Sequence, residues 1–247
     1  MEEELDLREA LATGERMQEI VTKAVVDRDF LREIIKLLDD DLWTVQKNAL
    51  RVVSEVIEDI PELQSAIITK LMIMVRRSES VPLTQEIART FGLLAKINPD
   101  EVKKIVPVIF ANYRLGDPKI KVNMSYVLEE IMRTNPSLLG GVFKDIGRLL
   151  TSRNPEDKLA ALNFISALSE NGLRYVTPFI PKLFELMRDR DEIVRASTIE
   201  TLVKLAEKNK KFRMVVIKKL REFDDHSTLV KRKVEEGLSE LTLLEKE

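Results

Sequence analysis

The side chains able to carry acid–base, nucleophilic or metal chemistry are few and scattered. The chain has 1 His and no Cys. His226 stands in the run Asp224-Asp225-His226, the one place where an imidazole and carboxylates meet in sequence, and such a set is of the kind a divalent metal accepts. The run opens a helix, however, where polar residues ordinarily serve as solvated turn groups, so an exposed turn is the expected reading. A nucleophilic triad needs a His with company that His226 lacks. Gly140 and Gly141 stand without the Gly-Lys-Ser type sequence of a phosphate-cradling loop. Carboxylates are many, but pairs such as Glu129 and Arg133 have the i, i+4 spacing of solvated ion pairs on a helix. No catalytic residue, metal or cofactor is expected, and the chain reads as a non-enzyme.

The elements that position these residues are helical. Lys plus Arg number 40 and Asp plus Glu 42 in 247 residues, with 44% hydrophobic residues, so a folded protein is expected and no global basic field marks a nucleic-acid binder. The apolar runs, such as Leu71 to Val75, fall far short of the roughly 20 residues a bilayer span requires, so no membrane partner is expected. The start, MEEELDLREA, is acidic where a signal peptide is basic, and the absence of Cys suits a reducing compartment, so a cytoplasmic location is expected. Abundant Glu and Lys beside few Gln is a thermophile-like composition.

Apolar offsets of 0, +4, +8 and +11, one side of a 3.6-residue helix, recur along the chain. They begin at Val45, Thr84, Ile120, Asp157, Val194 and Val230, at spacings of 39, 36, 37, 37 and 36 residues, which is the period of a helix-pair repeat. Asp41, Ser80, Asp117, Asn154, Asp191 and Ser227 precede these helices and are residue types that cap a helix start. The residue after each anchor is long and polar or basic: Gln46, Gln85, Lys121, Lys158, Arg195 and Lys231. A second apolar segment lies ahead of each, with Pro107 and Pro181 equivalently placed to bend it. Trp43, opening one of these helices, is expected to be buried between repeats.

This pattern, with Asp191, Val194 and Arg195 as its best copy, resembles the HEAT repeat. The resemblance implies an all-α fold, a right-handed α-α superhelix of about six antiparallel helix pairs. The expected organisation is an N-terminal helical cap over residues 1–27, then repeats at 28–60, 61–98, 99–135, 136–172, 173–209 and 210–247 in one continuous solenoid. It also implies a protein-interaction scaffold whose second helices line a concave face. The His-Glu pairs with which some HEAT-like enzymes bind iron cannot be built from one His.

If the offsets above face the core, offsets +2, +6, +9 and +13 face the groove. They nominate Leu93, Val122, Tyr126, Glu129, Leu159, Asn163, Glu170 and Glu200 as a partner-binding set, an apolar centre with acidic margins suited to a basic protein segment. The alternative is nucleic-acid binding through the basic C-terminal repeats, with Lys210, Lys211, Lys218, Lys219, Lys231 and Arg232 meeting phosphates, as the basic grooves of HEAT-like DNA glycosylases do. The sequence names neither partner nor oligomeric state.

Overall fold

The structure, a computed structural model, describes residues 6–245, and these form fourteen α-helices and no strand. No helix among the described residues is long and apolar enough to cross a membrane. The helices fall into two compact units, residues 1–138 and 139–247.

The first unit holds α1 (Leu7–Thr13) and α2 (Met17–Val26), then the pairs α3 (Arg28–Lys36) with α4 (Trp43–Val56), α5 (Pro61–Arg77) with α6 (Val81–Ile97), and α7 (Pro99–Leu115) with α8 (Pro118–Thr134). The second helices α4, α6 and α8 pack in succession, and α1 and α2 both lie on α4. The second unit holds α9 (Val142–Leu150) with α10 (Pro155–Leu168), α11 (Ile180–Leu186) with α12 (Glu192–Glu207), and α13 (Lys210–Arg221) with α14 (Thr228–Leu243). Here α10, α12 and α14 pack in succession. These are the six pairs of an all-α repeat fold.

The anchor pattern explains the core. Val45, Ala49 and Val53 in α4, and Val194, Thr198, Leu202 and Leu205 in α12, are all 0% exposed. Each large side chain so buried stabilises the fold by roughly 1.5–3 kcal/mol before ordering costs. Thr84, a polar anchor, is tolerated because its buried hydroxyl bonds Ser78 and the Ser80 carbonyl. Asn123 closes the same network by donating to the carbonyls of Val75 and Ser78, both at 2.9 Å.

Five of the six expected caps accept from the first turn of their helix: Ser80, Asp117, Asn154, Asp191 and Ser227. Asp41 does not. Leu42 holds the cap position of α4, and Asp40 accepts the Leu42 N–H at 2.8 Å instead. Pro181 also departs from expectation. Pro107 lies inside α7, whereas Pro181 occupies the first turn of α11, after 3-10 turns at Leu173–Tyr175 and Thr177–Phe179. A first turn has no N–H partner to lose, so Pro starts that helix rather than bending it.

At the N-terminus, the helical cap was expected over residues 1–27. Residues 1–5 lie outside the described residues, and α1 starts at Leu7 behind an Asp6 cap. Gly14, at φ 78°, ends it in a left-handed conformation that most residues resist. Residues 246–247 of the last expected repeat likewise lie outside the described residues.

Candidate functional site

In the first unit, the outward offsets of the second helices gather in one cleft. Arg51, Ser54 and Glu58 of α4 and its following turn meet Glu86, Thr90 and Leu93 of α6, with Glu130 and Thr134 of α8 closing the far side, around a volume of about 600 Å³. Ser54 and Thr90 hydrogen-bond across α4 and α6 at 2.9 Å, which fixes the floor. The lining is more polar than the sequence suggested. Leu93 is partly buried in it, and the rest of the lining includes the carboxylates of Glu55, Glu58, Asp59, Glu86 and Glu130 and the cations of Arg51, Arg89 and Lys96. The acids outnumber the bases, so the cleft favours cations.

Gly92 lets α8 approach α6, since a Cβ there would stand 2.8 Å from Glu130 Cγ. Beyond this contact, α8 carries Val122, 53% exposed, with Tyr126 and Glu129 partly buried on its next turns. Burial pushes the Glu129 carboxyl above the usual carboxylate range, against the pull of Arg133, which stands 3.4 Å away. Val122 is the one member of the nominated set that presents a large exposed apolar side chain.

In the second unit, Leu159 is partly buried while Asn163, Glu170 and Glu200 are exposed. Glu200 is engaged: Lys233 of α14 reaches it at 2.6 Å. Ala196 and Val203, also read as groove-facing, are 5% exposed. Gly237 explains Val203, because a Cβ on that glycine would lie 2.5 Å from Val203 Cγ2, and the two helices close over it.

The basic C-terminal residues divide into two groups. Arg213 turns inward and donates to the carbonyls of Ala206, Glu207 and Leu244, while Arg232 pairs with Glu236 at 3.6 Å. Lys210, Lys211, Lys218, Lys219 and Lys231 are exposed. Lys210 and Lys211 occupy the first turn of α13, where the helix dipole favours acids.

The Asp-Asp-His turn divides its side chains between solvent and an ion pair. His226 is 93% exposed, whereas Asp225 is 6% exposed and both of its oxygens are taken by Arg195. No group of His, Cys, Asp and Glu suited to a metal occurs among the described residues.

Trp43 corrects the sequence reading. It is 42% exposed rather than buried, because the first residue of α4 lies at the turn end of its pair. It walls a cleft of about 740 Å³ with Ile73, Leu38 and Leu83. Lys47 Nζ lies 5.6 Å from the centre of its ring, within cation–π range. The cleft residues Glu55, Asp59, Arg89 and Lys96 were also missed, since they lie beside the four offsets used rather than on them.

Comparison with known proteins agrees with this architecture. Residues 39–83 match the repeat described as Repeat of uncharacterized protein PH0542, and residues 179–208 match the HEAT repeat. No curated protein matches the chain. Among solved structures, a chain from the structure of Kap95p with RanGDP superposes with a TM-score of 0.60 at 12% identity, over 92% of this chain and 32% of that one. An archaeal HEAT-like repeats protein from Thermococcus onnurineus NA1 is similar over 97% of both chains, at 15% identity and a TM-score of 0.48. A designed armadillo repeat protein in complex with the peptide (KR)4 is similar over 85% of this chain and 99% of that one, at 16% identity and a TM-score of 0.47. At these identities the likeness concerns the fold.

Proposed function

We propose that this chain, a HEAT-repeat helical solenoid, is a non-catalytic interaction scaffold that receives a basic protein segment across the second helices of its first unit. The observation that carries this reading is the cleft shared by α4, α6 and α8, whose lining holds Leu93 together with five carboxylates and three cations. A partner Lys or Arg finds acceptors there, and an apolar residue beside it finds Leu93. Tyr126 and Val122 extend the same helix series with apolar surface, and Glu129 lies beside them. In the second unit, Leu159, Asn163, Glu170 and Glu200 are proposed as further partner contacts on α10, its following turn and α12.

A fluorescein-labelled peptide of alternating Arg and Leu is a suitable probe, read by anisotropy. Binding is expected to fall at least tenfold in the Glu55→Lys, Glu58→Lys double variant, and its dependence on salt is expected to shrink with it. Equal binding by wild type and the double variant would remove the cleft from the account.

A further inference from the structure

The first helix of the last pair exposes a face that packing does not require. In α13, Val216, Ile217 and Leu220 are buried, and these hold the helix to its unit. On the opposite side Met214 is 62% exposed and Val215 47% exposed. At 100° per residue the exposed arc contains Lys210 and Lys211 one turn before this apolar pair and Lys218 and Lys219 one turn after it. All four lysines are exposed and none is ion-paired among the described residues, although neighbouring Arg213, Arg232 and Lys233 are all engaged. The two lysine pairs stand about 12 Å apart along the axis, with the apolar belt between them.

From this arrangement we infer that the α13 face is a peripheral docking surface for an anionic lipid bilayer. The lysines meet headgroup charge, while Met214 and Val215 dip among the upper acyl carbons. Three features favour a bilayer over other polyanions. A nucleic-acid backbone offers nothing to the exposed aliphatic pair at the centre of the face, whereas a bilayer interface takes aliphatic and cationic side chains together. Four of the five cations on this arc are lysine, a point charge on a flexible stem suited to a diffuse negative surface, where the arginine fork suits defined phosphate geometry; the exposed Arg221 adds to the same charge, and the exposed Glu222 beside it offsets one cation. A twelve-residue helix is about 18 Å long and about 11 Å wide, so one side offers on the order of 200 Å², well below the roughly 800 Å² that a stable protein interface takes from each partner. No spanning segment is needed for such contact, and none of the described helices is long and apolar enough to be one.

The full chain is tested by co-sedimentation with vesicles of phosphatidylcholine alone and of phosphatidylcholine with about a third phosphatidylserine, at low and high salt. Binding is expected only with phosphatidylserine, and is expected to fall at least tenfold at high salt or in the Lys218→Glu, Lys219→Glu variant. The Met214→Ser, Val215→Ser variant keeps every charge and is expected to bind several-fold more weakly. Both variants are altered only at exposed positions and are expected to remain folded, which circular dichroism checks. Absence of wild-type binding to the charged vesicles overturns the inference, as does binding indifferent to the lysine reversals. If the serine variant binds as wild type does, or duplex DNA is bound with the same lysine dependence while vesicles are ignored, the face is a polyanion surface and not a lipid one.

Discussion

The guanidinium of Arg195 holds both carboxylate oxygens of Asp225, at 2.7 and 3.0 Å, with each side chain 6% exposed. Arg195 follows the anchor of one second helix, and Asp225 lies five residues before the anchor of the next. The relation recurs one step earlier, where Lys158 meets Asp189 at 2.6 Å. It recurs again at the N-terminus, where Arg8 of α1 meets Asp40 at 2.7 and 3.0 Å. In each case the aspartate also accepts the N–H two residues on, from Leu42, Asp191 or Ser227, so one side chain shapes the turn and receives the neighbouring helix. Helix α1 therefore stands to α4 as one second helix stands to the next.

Arg195→Ala leaves the Asp225 carboxylate buried without its partner, and the expected loss is about 3–5 kcal/mol. Chemical denaturation checks this. Arg195→Lys is expected to recover only part, since one ammonium cannot reproduce the two-point grip.

Acid is expected to loosen the same joints. Burial pushes the Asp225 and Asp189 carboxyls up, but their cationic partners and turn N–H groups outweigh it and hold both below the ordinary range; at Asp40 the Arg8 hydrogen bond is the leading cause of the same shift. A depressed folded pKa contributes stability that is present above the unfolded value, about 3.9, and is lost as pH falls through the folded one. Thermal melts are expected to hold the joints' contribution down to about pH 4 and to lose it progressively below that. The Arg195→Ala variant is expected to show a shallower acid dependence than wild type.

The opposite sign is expected at Glu207. Burial and the neighbouring Glu240 raise its carboxyl pKa, so the folded state favours the protonated acid and is opposed at neutral pH. Glu240→Gln is expected to raise the melting temperature at pH 7 and to change it little at pH 4. An equal shift at both values would mean that charge repulsion is not the cause.

Gly237→Ala is expected to destabilise the second unit by about 1–3 kcal/mol, because the added methyl meets Val203 Cγ2 at 2.5 Å. Val203→Ala in the same chain is expected to recover much of the loss, which a double-mutant cycle measures.

The spacing of anchors was enough to place all six helix pairs, because a core-facing stripe repeats in every pair regardless of partner. The inter-helix joints were half legible. Lys158 and Arg195 stood out as long polar residues after an anchor, but their partners lie about thirty residues away; the recurring aspartates at positions 40, 189 and 225 were the available signal. Trp43 was misread because a large aromatic is ordinarily core, and only the turn geometry shows that it lies at the rim. Val203 was misread because its fate depends on Gly237, a residue on a different helix.

The claim that a partner segment crosses the second helices of the first unit is tested most directly by a photo-crosslinking residue placed at Leu93, with a control placed at the exposed Val26 of α2. Irradiation in the native cell extract followed by mass spectrometry is expected to give a discrete adduct at position 93, with the attachment site in a basic segment of another protein and no equivalent adduct at position 26. Tyr126→Ala is expected to weaken that partner's binding by about 1–3 kcal/mol, as an interface anchor does. Adducts of equal yield at both positions, or an attachment site in an acidic segment, would contradict the account.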